Sequence, residues 1–170
     1  MAPTIHPFSR GESVQTSDII KFVKKIPLFQ GLQPSQVREL IVEGEVQAFS
    51  QDDVLCREGD ENRFLFILLR GKLVVERKGT TIAHTEAVDI VGEMGITTDS
   101  PRCATLIAEG DVVTVTIAKN RFNYAIGLDA ELAATIYRNV LQSSFAKLLA
   151  MNDHFLDHLL GGGFGLATSV

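Results

Sequence analysis

From residue 45 to about residue 117 the apolar residues change their rhythm, and this change constrains the fold more than any other feature of the chain. Short β-type runs (VQAF, VLC, RFLFILL, KLVVER, TIAHT, ATLIA and DVVTVTIA) alternate with the breaks QDD, EGDEN, RG, KGT and EG. Short strands at roughly 8–12-residue spacing, with Gly and Asp between them, predict an antiparallel sandwich or barrel. FLFILL is apolar on both faces, so it is expected at the centre of the sheet. Gly71 and Gly79 are expected at hairpin turns.

A helical period flanks this region on both sides. Ser17 or Asp18 is placed to cap a first helix carrying Ile19, Ile20, Phe22, Val23 and Ile26. Pro27 breaks it, and LFQGLQPSQVRELIVEG reads as a tight connection into a second short helix. Gln33 or Pro34 starts that helix, and Val37, Leu40 and Ile41 form its apolar face. Beyond the strands, KNRFNYAIG reads as a short helix ended by Gly127, and Asp129 caps a long one. Along that long helix Ala134, Tyr137, Leu141, Ser144, Leu148, Met151 and Phe155 step by three and four, a heptad seam. Such a seam suits a parallel helix pair between two chains; the alternative is a stripe packed on the chain's own barrel. The predicted class is α+β: an antiparallel β-barrel of jelly-roll type (a double-stranded β-helix) with N-terminal helices and a long C-terminal helix. The expected divisions are a flexible segment at 1–16, the barrel with flanking helices at 17–127, the long helix at 128–160 and a flexible tail at 161–170.

At 170 residues the chain is long enough for one domain to bury roughly 68–70% of its unfolded surface. Neither a metal nor a disulfide is needed to hold it together. The net charge of −5 offers no broad basic face for a nucleic-acid polymer, so a bound anion is expected to be small and held locally. Two cysteines, Cys56 and Cys103, sit in strand-like runs; this fits free thiols in a reducing cytoplasm. No signal-peptide core is visible, and no apolar run approaches the ~18 residues of a membrane span.

One loop between strands carries charge. Residues 92–105, GEMGITTDSPRCAT, set Glu93 and Arg102 between apolar runs, with Gly92, Gly95 and Pro101 beside them. A guanidinium is always charged and presents a fork of donors, which suits a phosphate. A carboxylate only accepts, which suits a hydroxyl. Gly92 lets backbone approach a ligand. Residues 93–97 are expected to form a helical turn whose free N–H groups favour an anion. Alternatively, Glu93 and Arg102 pair with each other as a structural ion pair at a barrel rim.

Over roughly residues 18–150 the chain resembles the cyclic nucleotide-binding domain family. That family includes catabolite-activator-type regulators, the regulatory subunit of cAMP-dependent protein kinase and cyclic-nucleotide-gated channels. The resemblance is carried by G-E-x(8)-R-x-A-T, here Gly92, Glu93, Arg102, Ala104 and Thr105, and supported by IPLFQGL at 26–32, EGD at 58–60 and FILLRGKLVV at 66–75. It implies a non-catalytic cytoplasmic sensor for cAMP or cGMP, with no other cofactor and no metal. Arg102 would hold the cyclic phosphate and Glu93 the ribose 2′-hydroxyl, with the backbone N–H groups of Gly92, Met94, Cys103 and Ala104 nearby. It also implies that the C-terminal helix closes over the base and forms a homodimer, with Ser144 reaching the base or serving only as a packing residue. Phe145 and Tyr137 are alternative lids.

Two departures from the family pattern bear on the rim: Val91 stands where an aromatic is common, and Val88-Asp89 stands where Gly-Asp is common. The residue after the arginine is Cys103 rather than a hydroxyl, which leans toward adenine; it is otherwise a small buried strand residue. No DNA-binding, kinase or channel segment is expected in these residues, and the effector is unknown. The rival reading is a barrel that binds no nucleotide and serves as a dimerisation or docking module. A metal barrel, a haem sensor built on His84, or a metal clamped by His154 and His158 at i and i+4 each lack further ligands.

Overall fold

A computed structural model of the chain describes residues 16–42 and 44–161. The chain runs through helix α1 (Thr16–Val23), a 3-10 turn (Pro27–Phe29), α2 (Pro34–Ile41), strands β1 (Glu45–Phe49), β2 (Val54–Cys56), β3 (Phe64–Arg77), β4 (Thr80–Glu86) and β5 (Asp89–Val91), a helical turn α3 (Met94–Thr97), β6 (Thr105–Ala118), then α4 (Lys119–Leu128) and α5 (Ala130–Gly161). Antiparallel strands with helices before and after them are the predicted α+β arrangement. The predicted divisions at 1–16 and 161–170 lie almost wholly outside the described residues.

The sheet is ordered β1-β6-β3-β4, with β2 also on β6 and β5 also on β3. FLFILL is central as expected: Leu65, Phe66, Ile67, Leu68 and Leu69 are all buried within β3. Two apolar cores lie on either side of this strand. Ile67 and Leu69 join the larger one with α1, α2, α4 and α5, while Leu68, Leu73, Ala108 and Val112 form the smaller one. This division follows from the alternation of side chains along a strand.

The expected hairpin at Gly71 is not formed. RFLFILL and KLVVER are one continuous 14-residue strand, and ATLIA and DVVTVTIA are likewise one. Both halves of β3 pair with β6, and the register slips at Gly71: Arg70 faces Val113, whereas Lys72 faces Glu109. The extra residues on β6 bulge at Gly110, whose φ is +82°. Gly71 itself has φ +90°, and a Cβ there would stand 2.5 Å from the Asp111 carbonyl oxygen. Both glycines thus serve a bulge, which bends paired strands without reversing them. Gly79 does form the expected hairpin, with Lys78 and Gly79 both at positive φ between β3 and β4.

Strand β5 was not among the predicted runs. It is only three residues long and follows Val88, a β-branched residue held at φ +73°. The turn therefore sits at the position where Val88 replaces a common glycine, and no local turn signal announces it.

The helix ends follow local chemistry. The backbone N–H of Gln33 donates to the Gln36 side chain at 3.0 Å, and Pro34 opens α2. Asp129 caps α5 by accepting from the N–H groups of Glu131 at 2.9 Å and Leu132 at 3.0 Å. These bonds, the one from Leu132 foremost, hold its carboxyl below the usual range. Helix α4 runs through Gly127 to Leu128, one residue beyond the predicted stop.

On α5 the heptad seam does not face the barrel. Leu141 is 70% exposed and Met151 68%, while Tyr137 and Leu148 are also exposed. The packed face is a different stripe, Leu132, Ile136 and Val140, joined by Asn139. Asn139 Nδ2 donates to the carbonyls of both Leu28 and Gln30, each at 2.8 Å, and ties α5 to the N-terminal 3-10 turn. The side chains of His154, Phe155 and His158 lie outside the described residues.

Candidate functional site

The loop at 98–104 is clamped onto the β2–β3 connection. Arg102 N–H donates to the Asp60 carbonyl at 2.8 Å, and the Arg102 carbonyl accepts from Gly59 N–H at 2.9 Å. The side chain of Thr105 accepts from Glu58 N–H at 3.0 Å, and the Asp60 carboxylate from Arg57 N–H at 2.9 Å. EGD at 58–60 is therefore the shelf on which the loop's arginine is mounted. The expected helical turn is present as α3, directly after Glu93.

The Arg102 side chain turns inward and is only 7% exposed. Nη2 donates to the Phe64 carbonyl, and the guanidinium lies over the Phe66 ring, 5.2 Å from its centroid. Nε is buried without a hydrogen-bond partner. No acidic side chain is paired with this cation among the described residues. Gly92 makes room for it: with φ +96°, a Cβ on Gly92 would stand 2.4 Å from Nη1. The guanidinium borders an open cavity of about 340 Å³, whose other walls include Leu55, Cys56, Asp60, Phe64 and Phe66. Burial pushes the Cys56 thiol above its ordinary value, the nearby Arg102 charge notwithstanding.

Glu93 is 6% exposed, and its partner is not Arg102. Its Oε1 accepts from Lys147 Nζ of α5 at 2.6 Å. The structural ion pair weighed from the sequence is thus replaced by one spanning 54 positions. Burial disfavours the Lys147 charge, but Glu93 and then Asp89 outweigh it, so its pKa stands above the ordinary lysine value. Asp89, half-buried on β5, has its carboxyl raised by that burial; its own neighbour's N–H and Lys147 offset only part of the effect.

Gly92, Glu93, Met94, Arg102, Cys103 and Ala104 all lie in the connection between β5 and β6, and of these Arg102 is the one that lines the described cavity. Cys103 is exposed and precedes β6, so the reading of it as a buried strand residue is corrected. Ala104 is buried, and neither the Cys103 nor the Ala104 amide makes a hydrogen bond among the described residues. Ser144 is half-buried on α5, one turn before Lys147. Phe145 and Tyr137 are exposed. His84 lies on β4 beside Glu109, with Nδ1 3.3 Å from Oε2. Among the described residues no three His, Cys, Asp or Glu side chains are grouped to hold a metal.

Sequence reasoning missed Lys147, Asp89 and Phe66. One signal for Lys147 was available: the apolar stripe Leu132, Ile136, Val140 continues at the same spacing into Ser143, Ser144 and Lys147. A packed face that turns polar over its last turns marks contact with something other than core.

The fold and site define a class first: an antiparallel barrel with helices at both ends, holding a buried, acid-free guanidinium in a loop between strands. Residues 46–127 match the sequence model of the cyclic nucleotide-binding domain, and this part of the chain, the barrel with α4, belongs to that family. The cAMP-dependent protein kinase regulatory subunit of Hypocrea atroviridis is 28% identical over 120 residues, 70% of this chain and 26% of that protein. The cGMP-dependent protein kinase 2 of Homo sapiens is 29% identical over 118 residues, 65% of this chain and 16% of that protein. The chain thus spans about a quarter or less of these curated relatives, 26% and 16%.

Among solved structures, a cyclic nucleotide-binding domain from Methylobacillus flagellatus KT has a TM-score of 0.68 at 26% identity, covering 89% of this chain and 86% of that one. The regulatory subunit of a cAMP-independent protein kinase A from Trypanosoma brucei, a mutant bound to cAMP in the A site, shares the fold. Its TM-score is 0.63 at 20% identity, covering 71% of this chain and 45% of that one. Among the described residues no helix is long and apolar enough to cross a membrane.

Proposed function

We propose that this chain is a non-catalytic, cytoplasmic sensor that binds cAMP or cGMP in the cavity beside Arg102. One observation carries the reading: a guanidinium only 7% exposed, with an unpartnered buried Nε and no acidic partner among the described residues, at the wall of an open cavity. Burying a charge without a counter-ion is expensive, so such a site favours an anion that supplies the missing charge. The cavity of about 340 Å³ is at the small end of ligand pockets and suits a mononucleotide.

Arg102 takes the cyclic phosphate, supported by the amides of Gly92, Met94, Cys103 and Ala104. Glu93 takes the ribose 2′-hydroxyl, and Ser144 is the polar residue of α5 offered to the base. Ligand binding favours one placement of α4 and α5 over another, which is the signal. The exposed seam of Leu141, Leu148 and Met151 pairs with the same seam of a second chain, and an effector reads the result.

Titration calorimetry with cAMP, cGMP and a cyclic dinucleotide tests this. One of the mononucleotides is expected to bind, and Arg102→Ala to weaken it by about 2–5 kcal/mol, on the order of 30- to 4000-fold. Failure of all three to bind wild type favours a ligand-free dimerisation or docking module, a reading to which the exposed α5 seam gives independent support.

A further inference from the structure

The site already described leaves one charged contact unexplained. Lys147 stands 54 residues beyond Glu93 in sequence, on the helix expected to move, yet its ammonium lies 2.6 Å from a carboxylate that is nearly inaccessible. An exposed ion pair would deserve little weight. Here the Glu93 side chain is only 9% exposed against 54% for Lys147, so the pair is one-sidedly buried and its carboxylate has no other donor among the described residues.

The carboxylate has two oxygens and room for about four donors. Lys147 uses Oε1. Among the described residues Oε2 has no partner, and it is not among the fully enclosed unpartnered atoms, so it keeps an opening to solvent. A hydroxyl arriving there need not displace the ammonium, because the two donors address different oxygens of a carboxylate with room for both. It would join the pair.

We propose that Lys147 is a positioning residue for the ribose subsite: it fixes the Glu93 carboxylate with its second oxygen presented to the ligand's 2′-hydroxyl, and so ties α5 to the ribose. This rests on the reading of the cavity as a cyclic-nucleotide site. Three features favour it. The stripe Leu132, Ile136, Val140 anchors α5 against the N-terminal 3-10 turn and α4, and Ser143, Ser144 and Lys147 continue that line along the helix to the contact of Lys147 with Glu93. Asp89 adds a second negative group near the ammonium and steadies the charge. Removing Lys147 would leave a nearly buried carboxylate without a cation, free to turn toward water or Arg102.

The test compares each ribonucleotide with its 2′-deoxy analogue, for cAMP and for cGMP, by calorimetry on wild type, Lys147→Met, Lys147→Arg and Glu93→Gln. Circular dichroism confirms folding of each. Wild type is expected to prefer the 2′-hydroxyl form by about ten-fold or more, the worth of a hydrogen bond to a charged group. Lys147→Met should shrink that preference to about three-fold or less, Lys147→Arg should restore it, and adding Lys147→Met to Glu93→Gln should change it no further. A purely structural lysine would weaken both analogues equally and leave the ratio intact; that result, with Arg102-dependent binding preserved, overturns this inference alone. Absence of any binding by wild type overturns the cavity reading and this inference together.

Discussion

Arg102→Met separates a binding charge from a structural one. In the empty protein the guanidinium contributes one charge-assisted bond to the Phe64 carbonyl, worth about 1.5–3 kcal/mol, and a ring contact with Phe66 worth about 0.5–2 kcal/mol. Against these stands the desolvation of a buried ion, several kcal/mol after relaxation, with no acidic partner among the described residues to repay it and with Nε unbonded. The opposing contributions nearly cancel, and methionine fills much of the volume. The variant is therefore expected to unfold within about 1 kcal/mol of wild type, or about 2–4 °C for a chain of this length.

Ligand breaks the tie. At a concentration 100 times its Kd a nucleotide stabilises wild type by about 2.7 kcal/mol. If the variant binds 30-fold more weakly, the same concentration gives it under about 1 kcal/mol. Differential scanning fluorimetry with and without cAMP and cGMP reads both numbers from one plate. A loss of about 3 kcal/mol or more in the absence of ligand, the scale of a core cavity, would make Arg102 a structural residue and refute the reasoning. So would an undiminished ligand shift in the variant.

Asn139→Ala leaves the carbonyls of Leu28 and Gln30 without their donor in a buried place, and urea denaturation should show a loss of about 2–4 kcal/mol, with faster amide exchange at residues 27–32. Asp89→Asn should stabilise the protein at pH 7. The folded carboxyl binds its proton at a higher pH than the unfolded one, so wild type loses stability as pH rises from the unfolded value of about 3.9 through the raised folded value, and denaturation midpoints of the variant should be flatter across that window. Leu141→Glu with Leu148→Glu, both at exposed positions, should leave thermal stability of the single chain within about 0.5 kcal/mol but convert a dimer to a monomer in light scattering. A monomeric wild type would reject the helix pair.

Much of the fold was legible because it depends on local chemistry. Gln33, Pro34 and Asp129 start helices for reasons contained within a few residues, and FLFILL could only be buried on both sides. The bulges were not legible. Gly71 and Gly110 carry the same signature as a hairpin glycine, a residue free to take positive φ, and what separates the two outcomes is whether both flanks pair with the same distant strand. Strand β5 was missed for the opposite reason: Val88 occupies a left-handed turn without the residue type that would betray it. At the site, Glu93 and Arg102 were legible as a motif, but their partners were not, because Lys147, Phe64 and Phe66 arrive from elements far along the chain.

The difference between those partners has an electrostatic consequence for the loop. Two opposite charges one short loop apart would ordinarily satisfy each other, and an Arg102 neutralised by Glu93 would exert little pull on a phosphate. The chain avoids this by giving the carboxylate a cation of its own from α5, while Gly92, beside Glu93 in sequence, lets the guanidinium close down on backbone instead. Arg102 is left with a carbonyl and an aromatic face, both of which hold its position without cancelling its charge. The lysine on the C-terminal helix and the arginine in the loop are thus parts of one arrangement: the first occupies the acid, and the second is left without an acidic partner among the described residues.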